Sequence, residues 1–573
     1  MRHFFIVFLL CAAYTAGAQL TVFEKSKGTE TATYFEVIDW YKKMDAASPF
    51  VSMKTMGTTD AGYPLHLVMV SGDGKFDPAL WHQQHKLVLL INNGIHPGEP
   101  DGIDASMMLV RDIIQKKVTL PSNLAMAFIP VYNIGGVLNR NSYTRVNQNG
   151  PVEYGFRGNA QNLDLNRDFT KNDSRNAMSF AEIFHYLNPD IFVDNHVSDG
   201  ADYQHTMTLI TTQYDKLGAS LGSFVKQKLE PKLYQDMAAK GWDMIPYVDF
   251  AETDFSKGMT MFMETPRYST GYAALFNSIS FMPETHMLKP YKQRVQSTYD
   301  LMKTFMDIGS SNAAEIIAER KKGLKEWMTS TEFPLRWKSD KSKSTQITFK
   351  GYEADTTQSE ATGLKKMFYN HDKPFTRSIT FFNSFSPDVI IRKPKAYIIP
   401  AGWWTVIDRL RLNKVVMRQL RQDSTITVSG YKITEYKSYP TPYEKHHKNY
   451  AVKTEQSVTG KKFLKGDYIV YLDQPSNRYI IEMLEPAGDD SFFAWNFFDA
   501  ILQQKEGYSD YRWEDLAAEV LKKDPALQKK LADKKTADPA FAANPGAILD
   551  FIYKNSPYYE KAHNQYPIYR IEY

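Results

Sequence analysis

An apolar run that ends in a histidine and a carboxylate most constrains what this chain can fold into. Residues 87–91 are five consecutive aliphatic side chains, and Asn-Asn-Gly follows them at 92–94. The pattern predicts a strand buried on both faces of a sheet, with a turn at its end. The Pro-Gly pair between His96 and Glu99 places both side chains in a loop rather than on a helix. Such a loop suits a metal ion, although about one His-x-x-Glu is expected by chance in a chain of this composition.

The first half of the chain alternates strand and helix patterns. After the His96 loop the order is helix 103–114, strand 124–131, helix 174–187, strand 190–196, helix 217–240, strand 278–282 and helix 295–305. This alternation predicts an α/β domain with a mixed, mostly parallel sheet flanked by helices. One strand ends in His196, and in such sheets ligands bind beyond the carboxyl ends of the strands. We therefore expect His96 and His196 to face one site.

The first 18 residues have the three parts of a secretory signal peptide. These are Arg2, an apolar run over residues 4–13 and the small residues 16–18. The pattern predicts a secreted or periplasmic protein, and the apolar run is far shorter than the roughly 20 residues of a membrane span. Cys11, the only cysteine, lies in this segment. We therefore expect a mature chain without thiols, in which any metal is held by His, Asp or Glu.

Length and charge limit the number of domains and the kinds of partner. A chain of 573 residues exceeds what one hydrophobic core usually sustains, which predicts two or three domains. The formal net charge of +4 is small for so large a surface. It argues against nucleic acid as the main partner.

The second half of the chain changes to short, strand-like runs. We predict a catalytic domain over 19–309, a helical and polar linker over 310–345, and a β-rich accessory region with some helices over 346–573. Its predicted elements are strands at 346–349, 396–399, 425–428, 468–472 and 478–481, and helices at 406–412 and 513–531, the last broken at Pro525. His446 and His447 have no convincing carboxylate partner in the sequence, which predicts a solvated loop.

The donor set at the two strand ends fits a zinc ion that does chemistry. A catalytic zinc site needs about three protein ligands of nitrogen or oxygen type and one open position for water. His96, Glu99 and His196 would supply those ligands. A further carboxylate is then required as the base that moves the proton.

These residues resemble the zinc metallocarboxypeptidases, the family of the pancreatic digestive enzymes and the cytosolic tubulin-processing enzymes. The family motif is His-x-x-Glu followed by a distant His, and His96-Pro97-Gly98-Glu99 with His196 reproduces it. The His-Pro-Gly-Glu form is most similar to the cytosolic branch. Between these ligands, Asp164-Leu165-Asn166-Arg167 resembles the family's Asp-x-Asn-Arg block.

The resemblance implies a role for each residue of that block. Asn166 and Arg167 would bind the terminal carboxylate of the substrate, for which a planar guanidinium is well suited. Asp164 would orient a zinc-binding histidine from outside the metal shell. Arg157, ten residues before Arg167, would polarise the scissile carbonyl, and Arg145 is the alternative for that role.

The resemblance also implies a general base and a tyrosine that caps the substrate. Glu284 follows the last strand pattern of the domain, where the family keeps its catalytic glutamate. Glu264 is the alternative, because its surroundings mimic a Glu-Leu-Arg...Thr-Gly-x-Tyr run of the digestive enzymes. With Glu284 as base, Tyr268 or Tyr272 falls where the family has its mobile tyrosine.

The function implied by the resemblance is that of a secreted zinc-dependent carboxypeptidase. It would hydrolyse C-terminal amide bonds of peptides, cell-wall peptides included, by promoted-water attack with Zn²⁺ as cofactor. Two alternatives remain open: a zinc amidase or deacylase of small N-acyl amino acids, and a catalytically inactive peptide-binding protein on the same fold. The sequence leaves the oligomeric state and the preferred terminal side chain undetermined.

Overall fold

The computed structural model describes residues 20–248 and 257–573. The predicted signal peptide, with Cys11, lies outside the described residues. Within the described ranges, no helix is both long enough and apolar enough to cross a membrane.

Strands and helices alternate in the first half of the described chain, and strands predominate between residues 332 and 471. The strands are β1 (Val51–Thr58), β2 (Pro64–Ser71), β3 (Leu87–Asn92), β4 (Leu124–Ile129), β5 (Ile191–Asp194), β6 (His196–Ser198), β7 (Met207–Thr211), β8 (Ile245–Pro246), β9 (Met259–Thr260), β10 (Ile279–His286), β11 (Glu332–Ser339), β12 (Thr345–Gln358), β13 (Lys365–Phe382), β14 (Phe385–Arg392), β15 (Ala396–Ile399), β16 (Arg418–Gln419), β17 (Ser424–Ser438), β18 (Asn449–Phe463), β19 (Tyr468–Tyr471) and β20 (Gln565–Ile571). The helices are α1 (Val22–Lys25), α2 (Tyr34–Ala47), α3 (Pro78–Gln83), α4 (Asp101–Ile114), α5 (Ile134–Leu138), α6 (Arg175–Leu187), α7 (Ala219–Phe224), α8 (Glu230–Ala239), α9 (Ser269–Ala274), α10 (Tyr291–Ser311), α11 (Ala313–Thr329), α12 (Trp404–Leu412), α13 (Asn477–Leu484), α14 (Asp510–Lys523), α15 (Pro525–Ala537), α16 (Pro539–Ala542) and α17 (Pro545–Lys554).

The main sheet has the strand order β1-β2-β4-β3-β5-β10-β7-β8, and β6 pairs with β10 beyond the end of β5. Its centre is parallel, since β3 pairs in parallel with β4 and β5, and β5 with β10. The antiparallel pairs β1–β2, β2–β4 and β7–β10 lie to either side. The predicted α/β class with a mostly parallel sheet is therefore confirmed.

The apolar run of β3 is buried because both faces of the sheet are covered. Alternate side chains of a strand point to opposite faces. Leu87, Leu89 and Ile91 accordingly lie in one hydrophobic cluster, whereas Val88 and Leu90 lie in the other. All five side chains are fully buried, so the exit of β3 is anchored on a rigid element.

Helix α6 shows how local signals set the ends of these elements. The side chain of Ser174 accepts a hydrogen bond from the backbone N–H of Ala177, which caps the first turn. At the other end Asn188 adopts the left-handed conformation, a common helix stop. Pro189 follows it and directs the chain into β5. The sequence predicted a helix over 174–187, and the structure confirms it.

The C-terminal region is β-rich, as predicted, and is built from three smaller sheets. β11 pairs with β14, the β12–β13 hairpin pairs with β9, and the third sheet has the order β16-β19-β15-β20-β17-β18. Helices α14 to α17 pack around a separate apolar cluster. The predicted domain boundaries stay a prediction, and β11 occupies part of the predicted linker.

The predicted strand at 478–481 is wrong, because these residues form the middle of helix α13. A short apolar run fits either a strand or a buried helix. The helical signal is the pair Arg478 and Glu482, whose side chains are four residues apart and form an ion pair of 2.8 Å.

Candidate active site

Three buried side chains converge where β3 and β5 end. His96 and Glu99 lie in the loop after β3, and His196 begins β6 directly after β5. One ligand atom of each lies within 4.8 Å of the others, which is close enough to hold a single metal ion. Nδ1 of His96 is 3.3 Å from one carboxylate oxygen of Glu99, and Nδ1 of His196 is 3.3 Å from the other.

A second carboxylate orients each histidine from behind. Nε2 of His96 is 2.9 Å from Oδ1 of Asp164, and Nε2 of His196 is 3.0 Å from Oδ2 of Asp194. A carboxylate only accepts hydrogen bonds when ionised, so both Nε2 atoms carry the proton. Nδ1 of each ring then faces Glu99 and is the nitrogen left to bind a metal ion.

The donor set fits zinc. Two imidazole nitrogens and one carboxylate are ligands that catalytic zinc sites use, with a fourth position left for water. Nδ1 of His96 is fully buried and makes no hydrogen bond, and a bound cation would satisfy it. Among the described residues, this is the one group of three or more such side chains that could hold a metal.

The electrostatics of the cluster favour an ionised Glu99. Burial alone would raise the pKa of Glu99, but the charges of His96 and Arg145 hold it well below its usual range. Burial would likewise lower the pKa of His196, yet Asp194 and Glu99 raise it well above its usual value. Asp194 and Glu99 are thus the groups that most favour a cation at this position.

Glu284 reaches the same site through strand pairing. β10 pairs in parallel with β6, and Glu284 lies directly opposite His196. Burial raises the pKa of Glu284 to about 8, against the charges of His196 and Arg157. Glu264 does not line the cavity at this site. It is fully buried, and its carboxylate accepts a hydrogen bond of 2.8 Å from the backbone N–H of Gln213.

Both candidate arginines lie in the cavity, with different partners. Arg145 is engaged on every nitrogen: Nε donates to Gln148 at 2.6 Å, Nη1 to Glu99 at 2.9 Å and Nη2 to the carbonyl of Val197 at 3.2 Å. Arg157 donates Nε to Asp164 at 3.0 Å, its Nη2 lies 2.9 Å from the same carboxylate oxygen, and its Nη1 is 3.7 Å from Glu99. Arg157 therefore keeps one nitrogen, Nη1, less engaged than any nitrogen of Arg145.

The segment Asp164–Arg167 turns its polar side chains into the cavity. Leu165–Arg167 form a single 3₁₀ turn, capped by the Asp164 side chain. Oδ1 of Asn166 accepts a hydrogen bond of 3.1 Å from the backbone N–H of Ser269, which fixes the orientation of its amide group. The guanidinium of Arg167 lies 4.5 Å from the ring centre of Tyr268, in cation–π contact.

The structure corrects the proposed role of Tyr272. Its ring is fully buried in the cluster beneath α9, and its hydroxyl donates to Oδ1 of Asn413 at 2.6 Å. It does not line the cavity, whereas Tyr268 does. The sequence places both tyrosines near the site, but Tyr272 lies on the inward face of α9 and packs into the core.

The site opens into a cavity of about 470 Å³. One wall carries the charged side chains described above. Apolar and aromatic side chains also line the cavity, among them Ile210, Tyr247, Phe262, Tyr268 and Met282. The cavity therefore offers a polar anchor beside a surface that accepts apolar groups.

Two features of the site were missed in the sequence. Asp194 stands two residues before His196, and a carboxylate so close to a ligand histidine was a usable signal. The second feature is the loop between β17 and β18, residues 439–448, which contacts the segment after Asp164. No local sequence pattern predicts this contact. His446 is one of its contacts: Nε2 lies 2.6 Å from Oδ2 of Asp173, so its prediction as a solvated residue was wrong.

Comparison with known proteins agrees with this geometry. The sequence matches the family described as zinc carboxypeptidase over residues 37–357. Carboxypeptidase 2 of Trichophyton equinum is 22% identical over 428 residues, 71% of this chain and 73% of the relative. Carboxypeptidase 2 of Trichophyton rubrum is 21% identical over 427 residues, with the same coverage of 71% and 73%. The crystal structure of a metallo-carboxypeptidase from Burkholderia cenocepacia has a TM-score of 0.36 at 14% identity, covering 49% of this chain and 70% of that one.

The chain belongs to the zinc carboxypeptidase family, and it is a metallocarboxypeptidase, a hydrolase that uses Zn²⁺ and acts on peptides.

Proposed function

We propose that this protein removes the C-terminal residue of peptides by promoted-water hydrolysis. The observation that carries the proposal is that one cavity holds the His96, Glu99 and His196 cluster together with Asn166 and Arg167. The cluster would hold the zinc ion, and the Asn-Arg pair would bind the terminal carboxylate. Together they support cleavage at the end of a chain rather than within it.

Binding of the carboxylate falls to Arg167 and Asn166. Nε of Arg167 and one donor of its Nη1 are bonded within the protein, at 3.0 and 2.9 Å. Within residues 20–248 and 257–573, no acceptor forms a hydrogen bond with Nη2 of Arg167. A carboxylate can therefore accept bonds from the guanidinium edge that faces the cavity, the geometry for which arginine is suited.

Glu284 is the proposed general base. When bound, zinc supplies a Lewis acid that polarises a carbonyl and makes a water acidic near neutral pH. Glu284 accepts a proton from the attacking water while the oxygen of that water bonds to the scissile carbon. It then passes that proton to the nitrogen of the leaving amine as the C–N bond breaks. Burial raises the pKa of Glu284 to about 8, and a carboxyl group with a raised pKa is suited to give a proton back as well as to take one.

Arg157 is the proposed oxyanion arginine. Charge develops on the carbonyl oxygen as water attacks, and a preplaced cationic donor stabilises it. The less engaged Nη1 of Arg157 supports this choice over Arg145, whose nitrogens already donate to Glu99, Gln148 and the carbonyl of Val197. Asp164 and Asp194 would keep the two histidines oriented.

Replacement of the base tests the proposed mechanism. Glu284→Gln should lower kcat by at least about 100-fold, because a positioned general base contributes that much or more, and it should leave the zinc content unchanged. Release of free amino acids from a peptide library, with metal analysis of the same samples, measures both.

Two variants serve as comparisons for that experiment. Glu264→Gln should keep its activity, because that side chain lies outside the cavity, and His196→Ala should lose the zinc. A fully active Glu284→Gln protein would overturn the assignment of the base.

Export of the protein is also proposed. It is supported by the sequence of residues 1–18 alone. Mass spectrometry of the protein recovered outside the expressing cells should find a chain that begins at Gln19. A protein found only inside the cells, at full length, would refute it.

A further inference from the structure

The loop between β17 and β18, residues 439–448, reaches from the C-terminal region to the segment that carries the substrate-binding arginine. The Tyr443 hydroxyl accepts a hydrogen bond of 3.0 Å from Nε of Arg167. Oε2 of Glu444 accepts one of 2.8 Å from the backbone N–H of Asp164. These contacts join residues more than 270 positions apart in the chain.

The tip of the loop is a tight turn held in an uncommon conformation. Tyr443 and His446 exchange backbone hydrogen bonds of 2.8 and 3.1 Å, so the turn consists of Glu444 and Lys445. Their φ angles are 49° and 75°, the left-handed values of a type I′ turn, which normally uses Asn and Gly. Non-glycine residues keep this conformation only where the surrounding contacts impose it. The turn is therefore built to present Tyr443 and Glu444 to the arginine segment.

The loop rests on a rigid base. The ring of Tyr443 stacks on Trp495, with centroids 6.1 Å apart and planes 15° apart. Trp495 is fully buried. On the catalytic side, Lys171 is also fully buried and donates to Asp168 at 2.8 Å, with its ammonium 5.5 Å from the Trp495 ring. Aromatic and charged contacts around Trp495 thus join the β17–β18 loop to the segment that follows Arg167.

The position of the Tyr443 hydroxyl determines how the guanidinium of Arg167 is turned. An arginine has five N–H donors in a planar fork, and a bond to Nε fixes the rotation of that fork. The ring of Tyr268 holds one face of the guanidinium, and the carbonyl of Asn166 holds Nη1. With Nε bonded to Tyr443 and one donor of Nη1 bonded to Asn166, the Nη2 donors and the second Nη1 donor are left for a ligand in the cavity that Arg167 lines.

We propose that Tyr443 is a positioning residue for the terminal carboxylate of the substrate: by accepting the Nε–H of Arg167, it aims the arginine. The C-terminal region thereby takes part in substrate recognition by the catalytic domain. This inference rests on the proposed function, since it assumes that Arg167 binds a terminal carboxylate.

The test compares Tyr443→Phe with Tyr450→Phe in the full-length zinc-loaded protein. Tyr450 lies on the same hairpin and is exposed, so its variant controls for the loss of a hydroxyl from this part of the fold. Each protein is assayed on one peptide as its free acid and as its C-terminal amide. Tyr443→Phe should raise KM for the acid by about tenfold, the effect of losing a hydrogen bond to a charged group, and change kcat little. Tyr450→Phe should match the wild type.

A binding measurement separates positioning from a merely structural role. Calorimetry is done in a Glu284→Gln background, which suppresses turnover. There Tyr443→Phe should weaken binding of the free-acid peptide about tenfold and leave the affinity for the amide peptide unchanged. An unchanged KM and affinity for the acid would overturn the inference. So would an equal loss for acid and amide, or a loss of zinc or of thermal stability that accounts for the effect. If the wild type itself releases no C-terminal residue, the proposed function fails, which is a different result from an active wild type that Tyr443→Phe leaves unaltered.

Discussion

The strand ends carry the metal ligands, the β17–β18 loop contacts the segment that carries Arg167, and the two are built in opposite ways. At the strand ends, His96, Glu99 and His196 lie on or beside parallel strands whose pairing fixes their separation. In the loop, Tyr443 and Glu444 are carried on a hairpin from a different sheet. The metal ligands lie at the ends of strands of the main sheet, whereas Arg167, the proposed carboxylate-binding arginine, is contacted by both regions.

Because of this difference, we expect the two regions to control different functions. Substitutions near β3, β6 and β10 should alter metal binding and proton transfer, whereas substitutions in the β17–β18 hairpin should not. Substrate affinity and the docking of the two regions should respond to the hairpin and leave the metal alone. Three predictions test this separation, from the largest expected effect to the smallest.

The largest effect is expected at Asp194, which accepts the Nε2 hydrogen bond of His196 at 3.0 Å. Asp194→Asn removes the charge that orients this ligand, and loss of such a partner costs about 10–100-fold in metal affinity. Competition with a chelator of known zinc affinity measures the dissociation constant. Tyr443→Phe, the hairpin counterpart, should bind zinc as the wild type does. Equal zinc affinity in both variants would erase the distinction between the regions.

A smaller effect is expected where the loop docks. His446 is half-buried and lies 2.6 Å from the carboxylate of Asp173, whereas the neighbouring His447 is exposed. His446→Ala should lower the free energy of unfolding by about 1.5–3 kcal/mol, the contribution of a hydrogen bond to a charged group. His447→Ala should change it by less than about 0.5 kcal/mol. Urea unfolding followed by tryptophan fluorescence compares them, and similar losses would place the docking contact elsewhere.

The smallest effect is a pH dependence that differs between the regions. Burial raises the pKa of Asp104, on α4 behind the metal loop, to about 7. Burial also acts to raise the pKa of Asp173, but the hydrogen bond from His446 and the charge of Lys171 outweigh it and lower that pKa to about 2.

These two shifts act on stability in opposite directions. The contribution of Asp104 is fully present below its unfolded pKa and is lost as pH rises through about 7. The contribution of Asp173 is present above its unfolded pKa and is lost as pH falls through about 2. The urea midpoint of the wild type should fall as pH rises towards neutrality, and Asp104→Asn should remove that fall. The midpoint should also fall in acid, and Asp173→Asn should reduce that second fall. Profiles identical to the wild type would contradict both assignments.

The parts of the fold that the sequence predicted are those with a local cause. The strand before His96 is a continuous apolar run because both of its faces are buried, and α6 begins at a capping serine. The convergence of His96 with His196 followed from one rule, that parallel strands end at the same edge of a sheet. Each of these signals lies within a few residues.

The failures have a different cause. Nothing near Tyr272 indicates that the inner face of α9 packs into the core, and nothing near Tyr443 points to Arg167, 276 residues away. The run at 478–481 is too short to distinguish strand from helix without the Arg478–Glu482 pair. Long-range packing decided the first two and leaves no periodic trace in the sequence, whereas the run at 478–481 had a local signal in the Arg478–Glu482 pair.

The central claim is that this cavity recognises a free C-terminal carboxylate and cleaves the bond next to it. The most direct measurement is mass spectrometry of one peptide, as its free acid and as its C-terminal amide, incubated with the zinc-loaded protein. We predict stepwise loss of single residues from the C-terminus of the acid and little or none from the amide. Internal cleavage, or equal cleavage of acid and amide, would contradict the account.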